Sequence, residues 1–170
     1  VINRSNLIIE KGSEDNGFIG YYALNIHNGE SVIDCVDDYL FMVDDGVNYL
    51  LGYIGSDKKL ILPESYKGEK YEIYKCSFTG QFSFTSVDIS DGVTCIGEQA
   101  FMMCCAIENV SIGKSVAKIG SIVFGNCVSL VRIKYDGTTA QWNDISKGTH
   151  WDDTTGNYTV YCTDGNIAKS

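Results

Sequence analysis

The chain has one proline and only two histidines, His27 and His150, in 170 residues. So few histidines leave little for a metal centre or a nucleophile–base–orienter triad, both of which need several such groups converging. No phosphate-binding loop, G-x-S-x-G or H-E-x-x-H occurs, so the corresponding nucleotide, hydrolase and metalloprotease chemistries lose their usual signals. No run approaches the roughly 18 apolar residues of a membrane-spanning helix, and no charged-then-apolar leader opens the sequence. Val1 stands where a Met would begin a nascent chain, so we read a processed or trimmed piece for which export stays open. Basic residues are also short, 13 against 22 acidic ones for a net charge of −9. That balance lacks the basic stripe of a nucleic-acid binder and disfavours anionic membrane surfaces.

Cysteine is plentiful but wrongly spaced for the common sites. Seven cysteines fall at intervals of 41, 19, 9, 1, 22 and 35, with no C-x-x-C among them. Zinc-ribbon and thioredoxin signatures are therefore absent, and the odd number leaves at least one thiol without an internal partner. Apolar residues make up 44% and charged residues 21%, ordinary for one globular domain large enough to bury a core. Eighteen glycines and eleven tyrosines point to strands and tight turns.

The dominant feature is a repeat of 23 residues. FTSVDISDGVTCIGEQAFMMC begins at Phe84, IENVSIGKSVAKIGSIVFGNC at Ile107, and LVRIKYDG at Leu130. Val87, Val110 and Ile133 are in step, as are Ile89, Ile112 and Tyr135, Ile96 and Ile119, Gly97 and Gly120, Phe101 and Phe124, Cys104 and Cys127. The register reaches back to Ile73, Phe78 and Gln81, and then to Leu60 and Leu62 at a step of 27, with the extra residues near the polar ESYKGEKY. A fainter echo, IGYYAL at 19–24, precedes them. Within each unit, F-x-x-V-x-I alternates as a strand does. A second strand over Val93 to Ile96, the Gly97 turn and a short helical turn carrying Ala100 and Phe101 inward complete it. One unit cannot offset its own ordering entropy, so the units must stack as a solenoid.

The phrase C-x-x-L-x-x-I…V-x-x-I-G-x-x-x-F-x-x-C and its 23-residue step resemble the BspA-like leucine-rich repeats of bacterial surface proteins. The likeness is strong over 60–135, and YDGTTAQWNDISKGTHW…NYTVYCTDG resembles the segment that often ends such arrays. Departures are Gln81 in place of Cys, and Phe84 and Ile107 in place of Leu. The resemblance implies a mainly β, right-handed leucine-rich-repeat solenoid with short helical turns. We divide it into an N-terminal hairpin region with a degenerate repeat (1–57), repeats (58–136) and a C-terminal cap (137–170).

Read in this register, AFMMCCAIENV (100–110) is packing rather than a soft-metal site. Cys104 and Cys127 share a rung position that Gln81 fills one repeat earlier, and buried cysteine behaves as a small apolar residue with a weak donor. Disulfides between stacked rungs are disfavoured by parallel Cβ vectors. Met102 and Met103 fall at the convex turn, and Cys95, aligned with Lys118, reads as an exposed thiol. The acidic cluster Asp34, Asp37, Asp38, Asp44 and Asp45 admits calcium, but YLFMV and VNYLLGY around DDG read as a hairpin. Thr138 and Gln141 form a capping-box start, which places Trp142, Ile145 and Trp151 over the last rung; the alternative for this Trp-rich end is a carbohydrate platform.

What remains for function is the outward face of the stacked strands. Its columns are Lys59, Ser86, Asn109 and Arg132, then Ile61, Asp88, Ser111 and Lys134. We take Ser86, Asp88, Asn109, Ser111, Arg132 and Lys134 as candidate binding residues. The resemblance implies a non-catalytic recognition module at the cell surface or outside the cell, binding a host or neighbouring-cell protein or a glycan, with no cofactor, no nucleic acid and no membrane insertion. A structural spacer in a longer surface protein is the competing expectation.

Overall fold

The computed structural model describes residues 7–10 and 30–169. It begins with β1 (Leu7–Glu10), β2 (Glu30–Val36), β3 (Tyr39–Asp44) and β4 (Val47–Tyr53), each antiparallel to the next. The β3–β4 connection is Asp45–Gly46, with φ of +48° and +77°. The β2–β3 connection is Asp37–Asp38, with φ of +47° and +68°. Both supply the pair of left-handed residues that a two-residue hairpin turn requires. The IGYYAL echo and His27 lie outside the described residues.

The repeats then coil. β5 (Lys59–Ile61), β7 (Ser86–Ile89), β9 (Asn109–Ile112), β11 (Arg132–Tyr135) and β13 (Thr159–Cys162) form one parallel ladder. An antiparallel β14 (Gly165–Ala168) closes it as a six-stranded sheet. β6 (Tyr71–Ile73), β8 (Val93–Ile96), β10 (Lys118–Ile119) and β12 (Ser146–Lys147) form a second parallel ladder that pairs onto β4, giving an eight-stranded sheet. Together these are a mainly β solenoid of about five turns.

Equivalent side chains touch, as the 23-residue step demands. Leu60, Val87, Val110, Ile133 and Val160 are successive register partners, and all are buried. Phe78 stacks on Phe101 (centroids 5.0 Å, 5°) and Phe101 on Phe124 (5.7 Å, 11°). Trp151 ends this ladder edge-on to Phe124 at 6.3 Å. Each such buried side chain is worth roughly 1.5–3 kcal/mol. Close approach explains the repeat glycine: a Cβ on Gly120 would sit 2.6 Å from the Glu98 backbone N, and one on Gly97 2.6 Å from the Ile73 carbonyl.

The inward turns are single i→i+3 turns, Ala100 N–H to Gly97 O and Cys104 N–H to Phe101 O among them. They recur with left-handed residues in step: Cys76, Gln99 and Ile122, and then Gly80, Met103 and Asn126. The one described helix, α1 (Thr139–Asp144), has the full capping box between Thr138 and Gln141. It buries Trp142 and is followed by buried Ile145, while half-buried Trp151 packs on the same core. Beyond it β12 and β13 extend both ladders by one rung, and antiparallel β14 ends the six-stranded one.

The polar ESYKGEKY, where the extra residues fall, is part of the packed structure. Tyr66 and Glu69 bridge across Lys67–Gly68, both left-handed. Tyr66 is buried and stacks on Phe41 at 4.3 Å. Its hydroxyl donates to Asp34 at 2.8 Å, and Lys67 pairs with the same carboxylate at 2.9 Å. A polar-looking insertion therefore fastens the N-terminal strands to the coil.

Candidate functional site

Strand alternation sends Val87 and Ile89 inward, so Ser86 and Asp88 must face solvent. The same holds on β9 and β11. Ser86, Asn109 and Arg132 are consecutive register partners, and so are Asp88, Ser111 and Lys134. The six candidates thus form two adjacent rows on one sheet face, rungs about 4.8 Å apart. Asp88, Asn109, Arg132 and Lys134 are exposed, and Ser86 and Ser111 half-buried. Lys59 and Ile61 extend the rows at β5, Ile61 being 63% exposed.

The rows also continue past the repeats, which sequence reading missed. Thr159 partners Arg132 and Tyr161 partners Lys134. The Arg132 guanidinium lies over the Tyr161 ring, 4.5 Å from its centroid. Tyr161 sits 27 residues after Lys134 rather than 23, so the repeat register alone does not bring it in; the alternation in NYTVYC is the signal that could have. Lys134 bonds Asp136 at 2.7 Å, which holds its ammonium above the usual lysine range.

The opposite sheet presents a different face. Glu72, Cys95 and Lys118 are register partners there, in a groove of about 350 Å³ that Tyr49 and Tyr74 also line. Cys95 is half-buried rather than exposed, and burial pushes its thiol to about 11. The flanking Glu72 and Lys118 shade it, which an aligned lysine could not reveal.

Cys104 and Cys127 are fully buried. Their thiols donate to the carbonyls of Phe78 and Phe101 at 3.0 and 3.1 Å, and burial pushes both to about 12. They stay protonated and serve the backbone of the preceding rung. Asp34 is engaged by Lys67 and Tyr66, whose hydrogen bonds hold its carboxyl below the usual range. Among the described residues, no three His, Cys, Asp or Glu side chains converge as metal ligands would. His150 is exposed beside Asp153 at 3.7 Å.

A cavity of about 520 Å³ lies at the C-terminal end, lined by Trp142, Trp151, Tyr158, Lys147 and Lys169 among others. Its aromatic rings are already used. Trp142 and Tyr158 are 4% and 5% exposed, with Lys147 over the first at 4.6 Å and Lys169 over the second at 5.6 Å. Those two rings are covered, while half-buried Trp151 packs edge-on against Phe124, Trp142 and Tyr158. Among the described residues, no helix is long and apolar enough to cross a membrane.

Residues 58–148 match the family model described as the BspA type leucine rich repeat region, in six copies. No curated protein matches the sequence significantly. Among solved structures, a leucine-rich repeat protein from Bacteroides capillosus is similar at 23% identity, with 76% of this chain and 97% of that one covered and a TM-score of 0.55. The leucine rich repeat protein of T. pallidum is 20% identical (62% and 54% covered, TM-score 0.54). One from Bacteroides ovatus is 22% identical (75% and 36% covered, TM-score 0.54). The chain therefore spans about half of the T. pallidum protein and about a third of the B. ovatus one. At these identities the likeness concerns the fold.

Proposed function

Since the chain belongs to the BspA-type leucine-rich repeat family, we propose that it is a non-catalytic recognition module of an exported or surface-anchored bacterial protein. It binds a protein or glycan partner across the outward face of the six-stranded sheet. The observation that carries this reading is the continuity of that face. Two rows of exposed and half-exposed side chains, mostly polar with Ile61 among them, run over successive hydrogen-bonded rungs. The ladder fixes their spacing before any partner arrives, which lowers the ordering cost of binding. Many weak contacts with a few anchors then set affinity.

The test replaces Asp88 and Arg132 by alanine together, with binding read against extracellular host proteins and a glycan array. The proposal expects loss of the partner at an unchanged melting temperature. A structural spacer, the competing reading, predicts that no partner binds the parent chain and that the substitution changes nothing.

A further inference from the structure

Arg132 stands apart electrostatically. The chain has two arginines, Arg4 and Arg132, against 22 acidic residues, yet among the described residues no carboxylate pairs with the Arg132 guanidinium. Its cross-strand neighbours are neutral, Asn109 on one side and Thr159 on the other. The nearby Lys134 takes Asp136 for itself. What fixes Arg132 is the Tyr161 ring beneath it. A guanidinium held over an aromatic ring loses little further entropy on binding, and its planar fork of donors matches a carboxylate bidentately.

We propose that Arg132, seated on Tyr161, is the anchor of the recognition face and takes an Asp or Glu side chain of a protein partner. This rests on the proposed function and names the partner chemistry. A protein segment fits better than an acidic glycan for two reasons. Arg132 covers the Tyr161 ring, so that ring is unavailable for stacking on a sugar. Ile61, 63% exposed on the same face, offers apolar contact that suits a polypeptide. Asp88 lies two strands from Arg132 and two residues further along, in register with Lys134, so a basic residue roughly 12 Å from the partner's carboxylate completes the match.

The experiment selects binders to the folded chain from a displayed library of random peptides and measures selected peptides against variants. The expected result is enrichment of Asp and Glu at one position and binding that weakens with ionic strength. Arg132→Ala should then lose about tenfold or more, and Arg132→Lys several-fold because an ammonium lacks the fork. Tyr161→Leu should lose several-fold while Tyr161→Phe, which keeps the ring, does not. An unchanged thermal melt shows that each variant folds. Peptides without acidic enrichment, or Arg132→Ala binding as tightly as the parent, would overturn the anchor. If Asp88→Ala still weakened those peptides, the face would stand without this anchor. An absence of any selected peptide overturns the anchor as well, and binding on an acidic-glycan array in its place would move the carboxylate to a sugar. Failure of every probe, proteins and glycans included, would count against the recognition reading itself.

Discussion

The Cys127 thiol donates to the Phe101 carbonyl at 3.1 Å, one rung behind it, just as Cys104 donates to Phe78 at 3.0 Å. The hydrogen bond explains why cysteine, rather than any small apolar residue, occupies this turn. Each carbonyl already accepts one backbone N–H, that of Cys104 at Phe101 and that of Gln81 at Phe78, and the thiol fills the second lone pair at little desolvation cost. Cys127→Ala should lose about 1–2 kcal/mol in urea unfolding. Cys127→Val, which keeps bulk and drops the donor, should also destabilise; a neutral Val variant would show the hydrogen bond to be idle.

The same thiols predict an alkaline limit. In the unfolded chain they titrate near 9.0, and in the fold near 12. Between those values the unfolded state has released protons that the folded state retains, so stability falls as pH rises above about 9. Each such group contributes a slope of roughly 1.4 kcal/mol per pH unit. Replacing Cys104 and Cys127 together should flatten the decline measured from pH 9 to 11. At the acid end the sign reverses for Asp34, whose folded value lies below 3.8. Its contribution is lost as pH falls below about 4, and Asp34→Asn should remove that part of the acid transition.

Two turn positions should respond oppositely to substitution. Gly120→Ala would drive a Cβ into the Glu98 backbone N at 2.6 Å, an overpacking worth about 1–3 kcal/mol. Met103 has φ of +61° and is 43% exposed, a conformation that most side chains resist. Asn126 fills the equivalent place one rung on. Met103→Asn should therefore stabilise by roughly 0.5–1 kcal/mol, visible as a higher urea midpoint for unfolding.

Tyr66 and Asp34 join the N-terminal strands to the coil. Tyr66→Ala removes the ring stacked on Phe41 and leaves Asp34 with Lys67 alone. It should cost about 3–5 kcal/mol, as large aromatic truncations in cores do. Hydrogen exchange should speed in β2 and β3 before it does in β9, since the coil keeps its own ladder.

The coil was legible in the sequence because a solenoid writes its contacts as a period. Val87, Val110 and Ile133 are adjacent in space because they are 23 apart in the chain, and the outward rows follow from the same count. What was illegible broke that period. Tyr161 joins the face after a longer step, Tyr66 enters the core from an insertion, and β14 turns back antiparallel with no repeat to announce it. The exposure of Cys95 depended on the reach of Glu72 and Lys118 around it, which alignment of positions does not encode.

Recognition is proposed to lie on the outward face of the six-stranded sheet and not on the eight-stranded one. Two charge-exchanged variants separate them: Asp88→Lys with Arg132→Glu on the six-stranded sheet, and Glu72→Lys with Lys118→Glu on the eight-stranded sheet. Each leaves net charge unchanged, and binding to a captured partner is measured for both beside the parent chain. The first pair should abolish binding and the second leave it within about twofold, both at parental melting temperatures. Loss of binding in the second pair with retention in the first would contradict that placement.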